Sequence, residues 1–156
     1  MAALMRPTLT MKGMNELMTR LVELKTDVGA KLTYRAASAA ARVVRNAARQ
    51  NAEDVGLNDS GALIRNITVA RSKEFSPPIV AYAVGVRHGT KKQIKDDNDP
   101  FYWWMWEFGH HNRFTGRFER RPFMIPALEN NKGNALYAME MVIARGIKRI
   151  EAKAKT

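Results

Sequence analysis

An α+β fold is predicted for this chain: a small antiparallel β-sheet packed against a long N-terminal helical region and a C-terminal helix. Three observations predict it. Apolar residues recur at helical spacing near both ends, two β-rich runs lie between them, and no βαβ unit repeats, which sets aside a parallel sheet.

Residues 14–28 carry Met14, Leu17, Met18, Leu21, Val22, Leu24 and Val28, spaced three and four apart. That spacing describes a helix with one apolar face, with Lys12, Glu16, Arg20 and Lys25 mostly on the other. Gly29 is expected to end or bend it. A second helix is expected over 32–52, where Ala36, Ala37, Ala39, Ala40, Ala41, Ala47 and Ala48 supply strong helix formers that let another backbone approach closely. Its smooth stripe of Ala36, Ala40, Val43, Val44 and Ala47 faces either the chain's own sheet or another copy.

Turn residues fill 54–61. The runs 63–71 and 79–86 are β-rich and read as an antiparallel pair, with Pro77-Pro78 at their connection; Leu63 and Ile64 form either the first strand's start or a short helical turn before it. Residues 88–100 carry almost nothing apolar and read as an exposed loop long enough to have a function of its own. A short aromatic helix is expected over 102–108, stopped by Gly109. The last helix starts near Pro126, which a first turn tolerates, and runs to about Lys153, with a bend expected at Asn130-Asn131-Lys132-Gly133-Asn134. Its apolar face is marked by Leu128, Leu136, Met139, Val142, Ile143, Ile147 and Ile150.

At 156 residues the chain fits one domain, 1–156, with residues 1–10 flexible or extended. No cysteine is present, which removes disulfides, thiolate zinc sites and cysteine nucleophiles together. No apolar run approaches the roughly 20 residues of a membrane span, and Arg6-Pro7 stands where a signal peptide would be apolar, so no membrane partner and no export by that route are expected. The net charge of +11, from 26 Lys+Arg against 15 Asp+Glu, favours a polyanion or an acidic neighbour. It is densest where Arg113, Arg117, Arg120 and Arg121 face only Glu119, and again near the C-terminal end.

Glu107 and His110 stand three apart like a Glu-x-x-His ligand pair, beside His111, but Gly109 breaks the helix that would align them, and no His-Glu-x-x-His spacing occurs. Asp96, Asp97 and Asp99 lie among Lys91, Lys92 and Lys95 and read as a self-neutralising polar segment rather than a nuclease site. No phosphate-binding glycine loop and no dinucleotide fingerprint occur. The reading is therefore a non-enzyme with no catalytic residue, no metal and no cofactor. Arg113, Arg117, Arg120 and Arg121 with Phe114 and Phe118 interleaved suit nonspecific DNA contact, or a loop whose arginines pair with a neighbour's carboxylates.

All three tryptophans fall in Phe101-Tyr102-Trp103-Trp104-Met105-Trp106-Glu107-Phe108-Gly109. Such a cluster marks either core or interface. With it come two further segments in fixed order, Ser60-Gly61-Ala62-Leu63-Ile64-Arg65-Asn66-Ile67 before it and Arg121-Pro122-Phe123-Met124-Ile125-Pro126-Ala127-Leu128 after it. The ordered set, with the opening Met11-Lys12-Gly13-Met14-Asn15-Glu16-Leu17, resembles the tail-component family of tailed bacteriophages typified by gene product ten of phage HK ninety-seven. The resemblance spans about residues 11–150. Asn66 departs from the family's usual serine, His110 from its usual threonine, and the proline often found before the Ser/Thr-Gly step is missing from 52–58.

The resemblance implies a structural protein of the virion neck, assembled in the bacterial cytoplasm, that completes the tail and joins it to the head. It implies a homo-oligomeric, six-fold ring around the DNA path, contacting neighbouring neck and tail proteins and touching genomic DNA without reading its sequence. Trp103, Trp104, Trp106, Phe108, Arg113, Phe114, Arg117 and Phe118 are then candidates for the subunit or partner interface. Ser60, Gly61, Leu63, Ile67, Glu107, Gly109, Arg121, Pro122, Phe123, Pro126, Ala127 and Leu128 are candidates for structural roles, with Glu107 paired to Arg121 and with Pro122, Phe123, Pro126 and Leu128 seating the last helix on the sheet. The alternatives are a nonspecific basic DNA-binding protein and a small metal-dependent nuclease.

Overall fold

The computed structural model describes residues 14–23, 26–75, 79–96 and 98–154. The expected extended stretch 1–10, the opening at 11–13 and the Pro77-Pro78 connection lie outside them.

Two helices form the spine: α2 (Thr26–Asp54) and α6 (Met124–Ala154). Alanine at 36, 48 and 52, with Leu32 and Val44, buries one stripe of α2, every fourth residue in register. The spine is antiparallel. Val44, Ala48 and Ala52 share one cluster with Phe123, just before the other helix, and with Ala127 and Ala135 in its first half, while Leu32 and Ala36 meet Ile143 and Ile147 near its end. The alanine stripe thus faces the chain's own core.

Gly29 does not end a helix. The preceding helix, α1 (Met14–Glu23), stops earlier, and Gly29 lies buried inside α2, where Thr33 Oγ1 donates to its carbonyl oxygen at 2.9 Å. The alanine-rich sequence that follows outweighs the helix cost of one glycine, about 1 kcal/mol. Nor is α6 interrupted at Asn130–Asn134. It runs unbroken, with Asn131 Nδ2 donating to the Ala127 carbonyl oxygen.

The strands are shorter than their β-rich runs. α3 (Ala62–Asn66) takes the start of the first, so the open choice at Leu63 and Ile64 resolves as a helical turn, and β1 (Ile67–Arg71) follows. It pairs antiparallel with β2 (Tyr82–Val86), Ile67 opposite Val86 and Arg71 opposite Tyr82. Ile67 and Val86 are both buried against α2 and Leu63, which fixes the register, since a slip of one residue in either strand would turn its buried residue outward.

The polar segment 88–100 is not a plain exposed loop. It holds α4 (Lys91–Lys95), started by a reciprocal Thr90–Gln93 capping box. Gln93 is buried and donates to Asn66 Oδ1 at 2.8 Å and to the Arg87 carbonyl oxygen at 2.9 Å. Asn66 in turn donates to the Ala62 carbonyl oxygen at 2.8 Å. Asn66 therefore ties α3 to the loop. α5 (Trp103–Phe108) and the short antiparallel pair β3 (His110–His111) and β4 (Phe118–Glu119) complete the chain.

A buried carboxylate joins the aromatic helix to the last helix

Glu107 stands on α5 among aromatics, and its exposure is only 1%. A buried carboxylate is costly unless its oxygens are filled. One oxygen accepts from the backbone N–H groups of Phe123 and Met124, each at 2.9 Å, and the other from Ile125 N–H at 2.8 Å. These donors open α6, where a helix leaves its first N–H groups without intrahelical partners. The next residue is Pro126, which has no N–H to satisfy. Carboxylate and proline together account for the whole unpaired N-terminus of α6, and the negative charge sits at the positive end of its dipole. The Glu-Phe-Gly and Arg-Pro-Phe-x-x-Pro segments are therefore two halves of one joint.

The expected Glu107–Arg121 pair does not form. Arg121 lies over the Trp106 ring, 5.1 Å from its centroid, and Nη1 donates to the Val55 carbonyl oxygen at 3.4 Å. Its backbone N–H reaches the Trp106 carbonyl oxygen at 2.9 Å. Arg120 Nε donates to the Glu107 carbonyl oxygen at 3.0 Å. Both arginines thus fasten the chain before α6 to α5. Two oxygens already holding three backbone donors also leave Glu107 unsuited to a ligand pair with His110. His110 pairs with Glu119 across the β3–β4 ladder, its ring edge-on to Trp106 at 4.8 Å. Among the described residues no three His, Asp or Glu side chains come together as metal ligands.

Behind the joint, Phe123 and Ala127 are fully buried with Leu63 and Ile67. Burying a Phe side chain contributes about 1.5–3 kcal/mol. Asn51 Nδ2 donates to the Phe123 carbonyl oxygen at 3.1 Å, and Arg49 donates twice to the Ile67 carbonyl oxygen, at 3.1 and 2.8 Å. Gly61 precedes α3 at φ 65°, and Ser60 Oγ accepts from Ala62 N–H at 3.2 Å. Pro122 and Pro126 are half-buried, but Leu128 is 52% exposed and does not seat α6 on the sheet. Ala127, one position earlier, takes the inward place.

The tryptophan cluster divides by helical position. Trp103 and Trp106, three apart, pack on the core, while Trp104 and Phe108, four apart, are 51% and 60% exposed. The interface candidates Trp103 and Trp106 are therefore partly buried against the core. Gly109 ends the helix at φ 95° and ψ 155°, a conformation open essentially to glycine, and the Phe118 ring lies where its Cβ would be.

The arginine-rich loop is an ordered hairpin tip. Asn112 Oδ1 accepts from the N–H groups of Phe114 at 2.9 Å and Thr115 at 3.2 Å, and Asn112 Nδ2 donates to Glu119 Oε1 at 2.7 Å. This leaves Phe114 99% exposed, flanked by Arg113 and exposed Arg117. Beside α6, Ile125 and Leu128 border an apolar groove of about 560 Å³ with Val80, Val84 and Met139. A second groove, bordered by Arg35, Arg42, Arg145 and Arg149, went unmarked in the sequence, where those arginines lie too far apart to form a run. Burial lowers the Arg45 guanidinium from its usual value, and the charges of Arg49 and Arg42 act the same way. None of the described helices is long and apolar enough to cross a membrane.

Comparison of the chain with protein-family models, with curated proteins and with solved structures finds no match in any of the three.

Proposed function

We propose that this chain is a structural subunit of a tailed-bacteriophage neck, completing the tail and joining it to the head as a ring of identical copies around the DNA path. The observation that carries the reading is the joint at Glu107. Two of the three segments on which the family resemblance rests are hydrogen-bonded to each other there, and the third contributes Leu63 and Ile67 to the core beneath. The resembling positions thus serve one architectural purpose rather than standing as scattered likenesses.

Assembly is supported by unlike apolar surfaces. Trp104, Phe108, Phe114 and Phe118 project as exposed aromatics, and the groove bordered by Val80, Ile125 and Leu128 is concave. Trp104 and Phe108 lie one turn apart on α5, and adjacent exposed apolar groups of this size mark interaction surfaces. A projecting and a concave surface on one chain suit a head-to-tail contact, the kind from which rings are built. Assembly uses these apolar surfaces, which a DNA-binding monomer has no need to expose.

Sedimentation and negative-stain imaging over a concentration series test this. Ring-shaped oligomers are expected from the native chain, and Trp104→Ser with Phe108→Ser should abolish them while thermal unfolding stays unchanged. A native chain that stays monomeric at high concentration, alone and with the phage's neck and tail proteins, would sink the proposal.

A further inference from the structure

Where α2 and α6 cross near Leu32 and Gly146, an open groove of about 670 Å³ runs between the helices. Its floor includes Leu32, Ala39 and Gly146, and Arg35, Arg42, Arg145 and Arg149 stand on its rims. No acidic residue lines it. All four arginines are exposed, and among the described residues the ion pairs involve Arg20 instead, with Glu16 and Glu151. Arg71 adds a fifth charge nearby, stacked on Tyr34 and donating to its hydroxyl. So many uncompensated like charges around one concavity repel one another, and a bound polyanion would relieve them.

We propose that this groove binds the phosphate backbone of DNA, independently of sequence. Arginine forks match phosphate oxygens in pairs, and four of them on two walls can hold successive phosphates of a strand. Arg35 and Arg42 are seven residues apart, about 10 Å along α2, and Arg145 and Arg149 are four apart, about 6 Å along α6, at 1.5 Å per residue. The groove is thus long enough for a stretch of backbone. An acidic protein fits less well. Protein interfaces carry an apolar centre, and the large exposed apolar residues, Trp104, Phe108, Phe114, Ile125 and Leu128 among them, do not line this groove. The inference rests on the reading of a ring around DNA and deepens it by naming the surface turned to the nucleic acid.

The test is fluorescence anisotropy with a labelled 30-base-pair duplex of arbitrary sequence and with its single strand, across a salt series. For four phosphate contacts the slope of log K against log salt is about −3.6 for duplex. Arg35→Ser with Arg42→Ser, or Arg145→Ser with Arg149→Ser, should bring it to about −1.8. Arg113→Ser with Arg117→Ser, on the hairpin tip, should leave it as in the native chain. Circular dichroism melts check that each variant folds; because all six arginines are exposed, they should. The proposal is overturned if the native chain binds neither probe at low salt, if the groove variants bind like the native chain, or if polyglutamate displaces duplex as well as unlabelled DNA does. Sedimentation of the same proteins separates the two readings. Rings that form while groove variants keep full DNA binding refute the groove and leave the ring; groove-dependent binding by a chain that never assembles refutes the ring and leaves the groove.

Discussion

Where α6 begins, a buried carboxylate holds three backbone N–H groups and Asn51 holds a carbonyl oxygen, whereas near the other end of the spine Leu32, Ala36, Ile143 and Ile147 meet as apolar side chains over a glycine. Both ends are packed, but they specify structure differently. Hydrogen bonds to a fixed carboxylate permit one position and one direction for the start of α6. Apolar contacts reward closeness and are indifferent to small sliding, so shape must supply the precision. At that end Gly146 does so: a Cβ there would stand 2.3 Å from Leu32 Cδ1.

The largest effect should follow from breaking the polar end. Glu107→Ala strands three donors, one of them buried, and is expected to cost about 3–5 kcal/mol in urea unfolding. Glu107→Gln, which keeps one acceptor oxygen, should cost less. A loss under about 1 kcal/mol for the alanine variant would mean that the carboxylate is not what fixes α6.

At the apolar end Gly146→Ala should lose about 1–3 kcal/mol by overpacking, against alanine's better helix propensity. The same change made together with Leu32→Ala should cost nothing further, because the colliding side chain is gone. An equal loss in both backgrounds would show that the close approach is not the cause.

Gly133 sharpens the comparison within one helix. Nothing lies within 4 Å of a Cβ built there, so Gly133→Ala should stabilise the chain by about 0.5–1 kcal/mol, visible as a raised melting temperature. A loss would point to a contact at this position that the fold does not contain.

Local pattern made much of this fold legible. Helical spacing and alanine content gave both spine helices, β-branched runs located the sheet, and Gly109 marked the end of the aromatic helix. Boundaries were less legible, because a glycine or an Asn-rich stretch need not end a helix: Gly29 lies buried within α2, and α6 runs on through Asn130–Asn134, where Asn131 donates to the Ala127 carbonyl oxygen. The polar segment 88–100 looked solvated because Gln93, which anchors it, is itself polar. Its Thr90–Gln93 spacing is a capping-box signal that was readable.

The sequence by itself determined the fold class, the alanine stripe and the presence of a joint near the Glu-Phe-Gly step, since all three depend on residue type and local periodicity. Only the tertiary structure decided what Glu107 holds, which tryptophans face inward, and that four scattered arginines share a groove. Those depend on which backbone atoms and helix faces arrive beside one another. Glu107 could be matched to Arg121 by charge, but the N–H groups it takes belong to every residue alike and leave no mark in the sequence.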